Sequence, residues 1–152
     1  GPALGAAGAL DTAPPVRRDF MDNRCRPYIF ATAPSPLTAV AGREALLILQ
    51  QEPERQQRLA KLVAFTHREL DLRGWRSPSR SQIVPYIVGD NARAMQLASA
   101  LQARGFDVRG IRPPTVPAGT ARLRIALTLN VDEDDVRALL DALVAETNGW
   151  PQ

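Results

Sequence analysis

Apolar residues in this chain follow two periods, and the period switches near residue 80. In "ERQQRLAKLVAFTHRELDL", Leu59, Leu62, Val63, Thr66 and Leu70 fall at i, i+3, i+4, i+7 and i+11. That spacing is one helical face, so a long helix is predicted over residues 53–72, with His67 at the stripe's edge as an ordinary interface or surface histidine. Beyond the polar loop "RGWRSPSRS", "QIVPYIVG" reads as a strand. "NARAMQLASALQARG" reads as a helix with Ala94, Leu97, Ala98 and Leu101 on one face and Gly105 as its stop. "FDVRGIR" and "TARLRIALTLN" are two further strands, and "DEDDVRALLDALVAET" is a closing helix whose acidic first turn suits the helix dipole. Its stripe is Val136, Leu139, Leu140, Leu143 and Val144. The order β-α-β-β-α predicts an α+β domain, a small sheet covered by helices on one face, with strands over about 83–88, 108–112 and 121–129.

Ahead of the long helix the signals are weaker. Pro14 and Pro15 can open a helix whose buried side is Val16, Phe20 and Cys25 and whose end is set by Pro27. "ATAPSP" is a proline-stiffened turn, and a helix follows over residues 36–50 with Leu37, Val40, Ala41, Leu47 and Ile48 as its apolar positions.

The 152 residues suffice for one domain with a core, or for one domain and part of another. With 45% hydrophobic and 23% charged residues the chain reads as soluble and globular, and no apolar run approaches the roughly 20 residues of a membrane span. The small, apolar start has no basic flank, which argues against a signal peptide. One cysteine, Cys25, excludes an internal disulfide framework and points to a reducing cytoplasm. One histidine beside one cysteine argues against a dedicated zinc site. Of 19 basic residues only Lys61 is lysine. The arginines are scattered among 16 acids with few aromatics, which is not the clustered pattern of a nucleic-acid surface.

Chemistry concentrates in "IRPPTVPAGTARLRIALT", residues 111–128. Alternation puts Leu123, Ile125, Leu127 and Leu129 on the core side, and Arg122, Arg124, Ala126 and Thr128 on the other. Two like charges at i, i+2 repel unless an anion or acids lie nearby. Two readings follow: a solvated or ion-paired pair, or a site that grips carboxylate or phosphate through a guanidinium fork. The proline-rich loop before the strand has little conformational freedom to lose and can hold Thr115 in a fixed place.

The same stretch resembles a motif of the α-oxoamine synthases, pyridoxal-phosphate enzymes of the aspartate aminotransferase fold, and most of all their biotin-pathway branch. "IVGDNARAMQLASAL" and "RPYIFATAPSP" are similar to the same branch. The glycine C-acetyltransferase and 5-aminolevulinate synthase branches have different wording around the loop. The resemblance implies condensation of L-alanine with pimeloyl-CoA or a pimeloyl-acyl carrier protein, with loss of the amino acid's carboxyl group, in a cytoplasmic homodimer. By the family pattern Arg124 binds the substrate or product carboxylate and Thr115 lines the substrate site. Thr32 matches one of two adjacent hydroxyl residues that reach the cofactor phosphate of the partner subunit, and Ala31 stands where the other is usual.

One departure divides the reading. "GPALGAAGAL" aligns Pro2 with the family's cofactor-holding lysine, and proline's ring nitrogen, held in a peptide bond, cannot form a Schiff base. Residues 1–2 are therefore read as a tag scar, 3–50 as the end of a large cofactor-binding domain, 51–80 as a linking helix and loop, and 81–149 as a small C-terminal α+β domain. On that reading the chain has no catalytic residue of its own, binds no pyridoxal phosphate or metal, and exposes apolar surface in its first part. A different class stays open beside it, a self-standing α+β module that binds an acidic ligand.

Overall fold

The computed structural model describes residues 12–148 and 150. The expectations for Gly1 and Pro2 lie outside the described residues. The chain divides into two compact units, Gly1–Pro53 and Glu54–Gln152.

The first unit is helical. Helix α1 spans Pro15–Arg24, α2 spans Arg26–Ile29 and α3 spans Pro36–Gln51. Pro27 was expected to end the first helix, but the break comes earlier, at Cys25 in an extended conformation, and Pro27 sits inside the first turn of α2. The cause is the ring itself, which clashes with the carbonyl four residues back and so prevents α1 from running through it. A buried side of Val16, Phe20 and Cys25 is not found: Val16 and Phe20 are 77% and 60% exposed and Cys25 is half-buried. Ser35 caps α3 by accepting from the Leu37 amide at 3.3 Å, with Pro36 at its first position. Leu37 and Val40 are exposed, so this unit carries the open apolar surface anticipated for it.

The second unit contains α4 (Glu54–Leu72), β1 (Ile83–Gly89), α5 (Asn91–Ala103), β2 (Arg109–Ile111), β3 (Ala121–Ala126) and α6 (Glu133–Thr147). The sheet has the order β1-β3-β2, with β3 antiparallel to both neighbours. It is a split β-α-β arrangement, in which α5 carries the chain from one edge to the other and packs on all three strands. Side-chain alternation decides the faces: Ala121, Leu123, Ile125 and, past the strand's end, Leu127 are buried, while Arg124 and Ala126 are exposed. The predicted strands were longer at β2 and β3. Gln102 Nε2 takes the Val108 carbonyl at 2.7 Å, which leaves β2 to begin at Arg109. β3 ends at Ala126 because β1 supplies partners only from Ile83, and a last bond from the Leu127 amide to the Gln82 carbonyl closes the ladder.

Helix ends are set by local chemistry. Asp90 caps α5 through the Arg93 amide at 2.8 Å, and Asp132 and Asp135 form a reciprocal capping box at α6. Gly74 and Gly105 adopt φ of +76° and +92°, and the amides of Trp75 and Phe106 reach back to Leu70 and Leu101, the bond pattern that terminates a helix on a left-handed residue. Arg73 ties α4 to α6: its guanidinium donates to Glu69 and to Asp141, each at 2.7 Å, and these two carboxylates, Asp141 first, raise its pKa further. Two stripe positions differ from expectation. Val144 is exposed and Ala142 buried in its place, and Phe65 is buried on α4 with the guanidiniums of Arg68 and Arg137 over its ring at 5.2 Å and 4.7 Å.

Candidate functional site

The open face of the sheet is built by strand register. Arg124 in the middle strand lies between Pro85 of β1 and Arg109 of β2, and Arg122 lies between Ile87 and Ile111. Directly opposed residues of an antiparallel pair share a face, so Arg109, Arg122 and Arg124 project to the same side. Their engagements differ. Arg122 is half-buried and its Nε donates to the Thr120 carbonyl at 2.9 Å, which fixes it along its own strand. Arg109 pairs with Asp107 at 2.9 Å. Arg124 is exposed and has no ion-pair or hydrogen-bond partner among the described residues. Of the two readings of the arginine pair, ion pairing is absent for Arg124 among the described residues, and its exposed fork of donors is open to water or to an anion.

The loop before β3 is held by its own backbone. The Thr115 amide donates to the Arg112 carbonyl at 3.1 Å across the Pro113–Pro114 peptide, which is cis. Thr120 donates from amide and hydroxyl to the Pro117 carbonyl at 3.2 Å and 2.7 Å, around Gly119 at φ +75°. The left-handed conformation is one that glycine adopts without cost. The Gly119 carbonyl also lies 3.5 Å from where a Cβ on Gly89 would stand, so the loop rests beside the end of β1. Thr115 is exposed in this loop, five residues ahead of the first turn-closing hydroxyl at Thr120 and on the same connection that feeds Arg124. Thr32 belongs to the other unit, in the connection between α2 and α3, exposed beside Ala31.

Two features escaped the sequence reading. His67 is buried, only 5% exposed, rather than at the surface, and its Nε2 has no hydrogen-bond partner. It lines a groove of about 960 Å³ on α4 with Leu59, Val63, Arg68 and Gln82. Arg80, Ser81 and Gln82, distant in sequence, line the same groove, and spacing along one helix does not reveal such neighbours. A second pocket of about 420 Å³ holds Trp75, Tyr86 and Trp150. The rings of Trp75 and Tyr86 meet edge to face at 4.8 Å. Burial pushes the Tyr86 phenol pKa up, and hydrogen bonding with Thr147 offsets part of that. The spaced residues of an aromatic pocket give no periodic signal, though "GW" after a helix stop marks where one of its walls begins.

The described residues do not compose a site for pyridoxal phosphate, the group that the resemblance implies. Covalent attachment needs a primary amine, and the single lysine, Lys61, stands exposed on α4. Thr32 offers one exposed hydroxyl to a phosphate.

The family model for aminotransferase class I and II matches residues 2–143. The chain belongs to that family. Within it, proteins named 8-amino-7-oxononanoate synthase are similar to nearly the whole chain. That of Aromatoleum aromaticum is 43% identical over 144 residues, covering 94% of this chain and 37% of its own length. That of Methylobacterium radiotolerans is 44% identical over 146 residues, covering 95% and 38%. The chain therefore spans a little over a third of the length of these relatives. Among solved structures, one described as SPT with a PLP internal aldimine superposes with a TM-score of 0.84 at 25% identity, over 95% of this chain and 37% of that one. The 8-amino-7-oxononanoate synthase of Francisella tularensis does so with a TM-score of 0.81 at 24% identity, over 95% and 43%, and shows the same fold. The residue pattern and these likenesses agree on an α+β fold for the second unit.

Proposed function

We propose that a polypeptide carrying this chain acts as an 8-amino-7-oxononanoate synthase in biotin synthesis, condensing L-alanine with a pimeloyl thioester in a reaction that depends on pyridoxal phosphate. A bond forms between the alanine α-carbon and the acyl carbon, the carbon–sulfur bond breaks to release the thiol, and the amino acid's carboxyl group leaves as carbon dioxide. The observation that carries this is Arg124, an unengaged guanidinium in the middle strand of an open sheet face, in a chain 43% identical to synthases of that name. Arg124 receives the amino-acid carboxylate through two parallel N–H donors, which orients the α-carbon. Thr115, on the stiff loop, lines the substrate site. Thr32 reaches the cofactor phosphate held by the partner of a homodimer, and the enzyme works in the cytoplasm with CoA or an acyl carrier protein as thiol.

The 152 residues alone have no activity in this proposal, since their one lysine lies on α4 with neighbours of a packing stripe and no phosphate cradle. The SPT likeness favours a second reading, a related synthase with another amino acid and a longer acyl chain. Its lower identity, 25% against 43%, ranks it below the first. The deciding experiment extends the chain upstream to the relatives' length and supplies L-alanine, glycine or L-serine with pimeloyl-CoA or palmitoyl-CoA. Mass detection of 8-amino-7-oxononanoate from the alanine and pimeloyl pair alone supports the proposal. Turnover only with serine and palmitoyl-CoA replaces it with the second reading.

A further inference from the structure

We infer that Arg109 is a second carboxylate-binding residue, placed beside Arg124 to select an acyl group that ends in a carboxylate. The inference rests on the assignment of Arg124 to an amino-acid carboxylate. Register pairs Arg109 with Arg124, and directly opposed Cβ atoms lie about 4.5–5.5 Å apart. Two guanidiniums so placed repel each other and hold an unbalanced positive field, because the position on the other flank of Arg124 is Pro85, and the positions flanking Arg122 are Ile87 and Ile111. Among the described residues the acid paired to the three arginines is Asp107, and it is 80% exposed with Arg109 at 68%. An ion pair so exposed to water is worth little, so a ligand carboxylate exchanges with Asp107 at small cost.

The chemistry of the proposed product calls for such a group. An oxononanoate keeps a carboxylate at the far end of its acyl-derived chain, so a substrate pair contains two carboxylates, the amino acid's and the acyl group's. One guanidinium fork accommodates one carboxylate bidentately, and a second acid in the same site needs its own donors. Arg122 is the poorer candidate because its Nε is committed to Thr120. Arg109 stands one strand over, toward the β2 edge, which places the acyl terminus on that side of the sheet.

The test uses the 152-residue chain itself and two acids of equal carbon length, heptanedioate and heptanoate, titrated at low ionic strength and followed by amide shifts in β2 and β3. The unaltered chain binds the diacid more tightly. Arg109→Ala lowers affinity for heptanedioate about two- to fivefold, the size expected for an exposed ion pair, and leaves heptanoate unchanged. Arg76→Ala, which removes the same charge from the loop after α4, leaves the ratio of the two affinities as it was. An Arg109→Ala ratio equal to that of the unaltered chain overturns the inference, as does an equal loss in Arg76→Ala, which would make the preference a matter of net charge. Arg124→Ala is read separately: if it weakens neither acid, the carboxylate assignment of Arg124 fails, whatever Arg109 does.

Discussion

Gly110 in β2 has no room for a methyl group. A Cβ there would stand 2.8 Å from the Met95 sulfur, 3.3 Å from the Ala98 Cβ and 3.4 Å from the Ala94 carbonyl of α5. The thioether can swing aside, but the other two atoms belong to the helix itself, so Gly110→Ala requires α5 to give by a few tenths of an ångström. Overpacking of this kind costs about 1–3 kcal/mol, read as a lowered urea midpoint. Met95→Ala in the same chain should recover part of it, and an unchanged midpoint for Gly110→Ala alone would mean that α5 sits more loosely on β2. Tyr86 makes a pH-dependent contribution. Its folded pKa is raised, so the folded state holds the phenolic proton more tightly than the unfolded chain does. That contribution is complete below about pH 10, the ordinary tyrosine value, and is lost as pH rises through the folded value. Stability between pH 9 and 10.5 should therefore fall more steeply in the unaltered chain than in Tyr86→Phe, and parallel slopes would contradict the burial of this phenol.

At the scale of elements, periodicity carried far in the second unit and little in the first. β3 alternates over six residues between a buried and an open side, and the sequence shows this directly because each side has one solvent. The same is true of the core faces of α4 and α5, where Leu62, Leu70, Leu97 and Leu101 are buried as their spacing requires. The open arginine face was legible for the same reason, whereas the role of Arg109 was not, since register between β2 and β3 is set by pairing and not by any local pattern. Phe65 was missed because part of its cover, Arg137 of α6, is brought in from far along the chain, and the burial of His67 likewise has no local signal. In α1 an apolar stripe exists with nothing in its own unit to cover Val16 and Phe20, and spacing alone cannot reveal that. The face assignment of β3 has a direct consequence. Leu127, 5% exposed, follows the strand into the core, and Leu127→Asp should unfold the second unit, since an unpaired buried carboxylate costs several kcal/mol. A folded Leu127→Asp chain, judged by retained amide dispersion, would reverse the inside and outside of the sheet.

At the scale of the whole molecule, recognition and cofactor chemistry fall to different parts of the polypeptide in the proposed function. There the sheet's open face and its proline-rich loop recognise acids, while the described residues supply no amine positioned for a cofactor. Borohydride trapping at near-stoichiometric pyridoxal phosphate, followed by peptide mass mapping, should give no single saturable adduct on the 152-residue chain, and one such adduct with turnover would require a different account of its function. The central claim concerns Arg124, and the kinetics of the chain extended to its relatives' length test it most directly. Arg124→Ala should raise the KM for L-alanine and lower kcat/KM roughly 10- to 150-fold, as loss of a charge-assisted contact of about 1.5–3 kcal/mol implies, with the cofactor's absorbance kept and Arg122→Ala doing less. Alanine kinetics unchanged in Arg124→Ala would contradict the claim that this face of the sheet binds the amino-acid carboxylate.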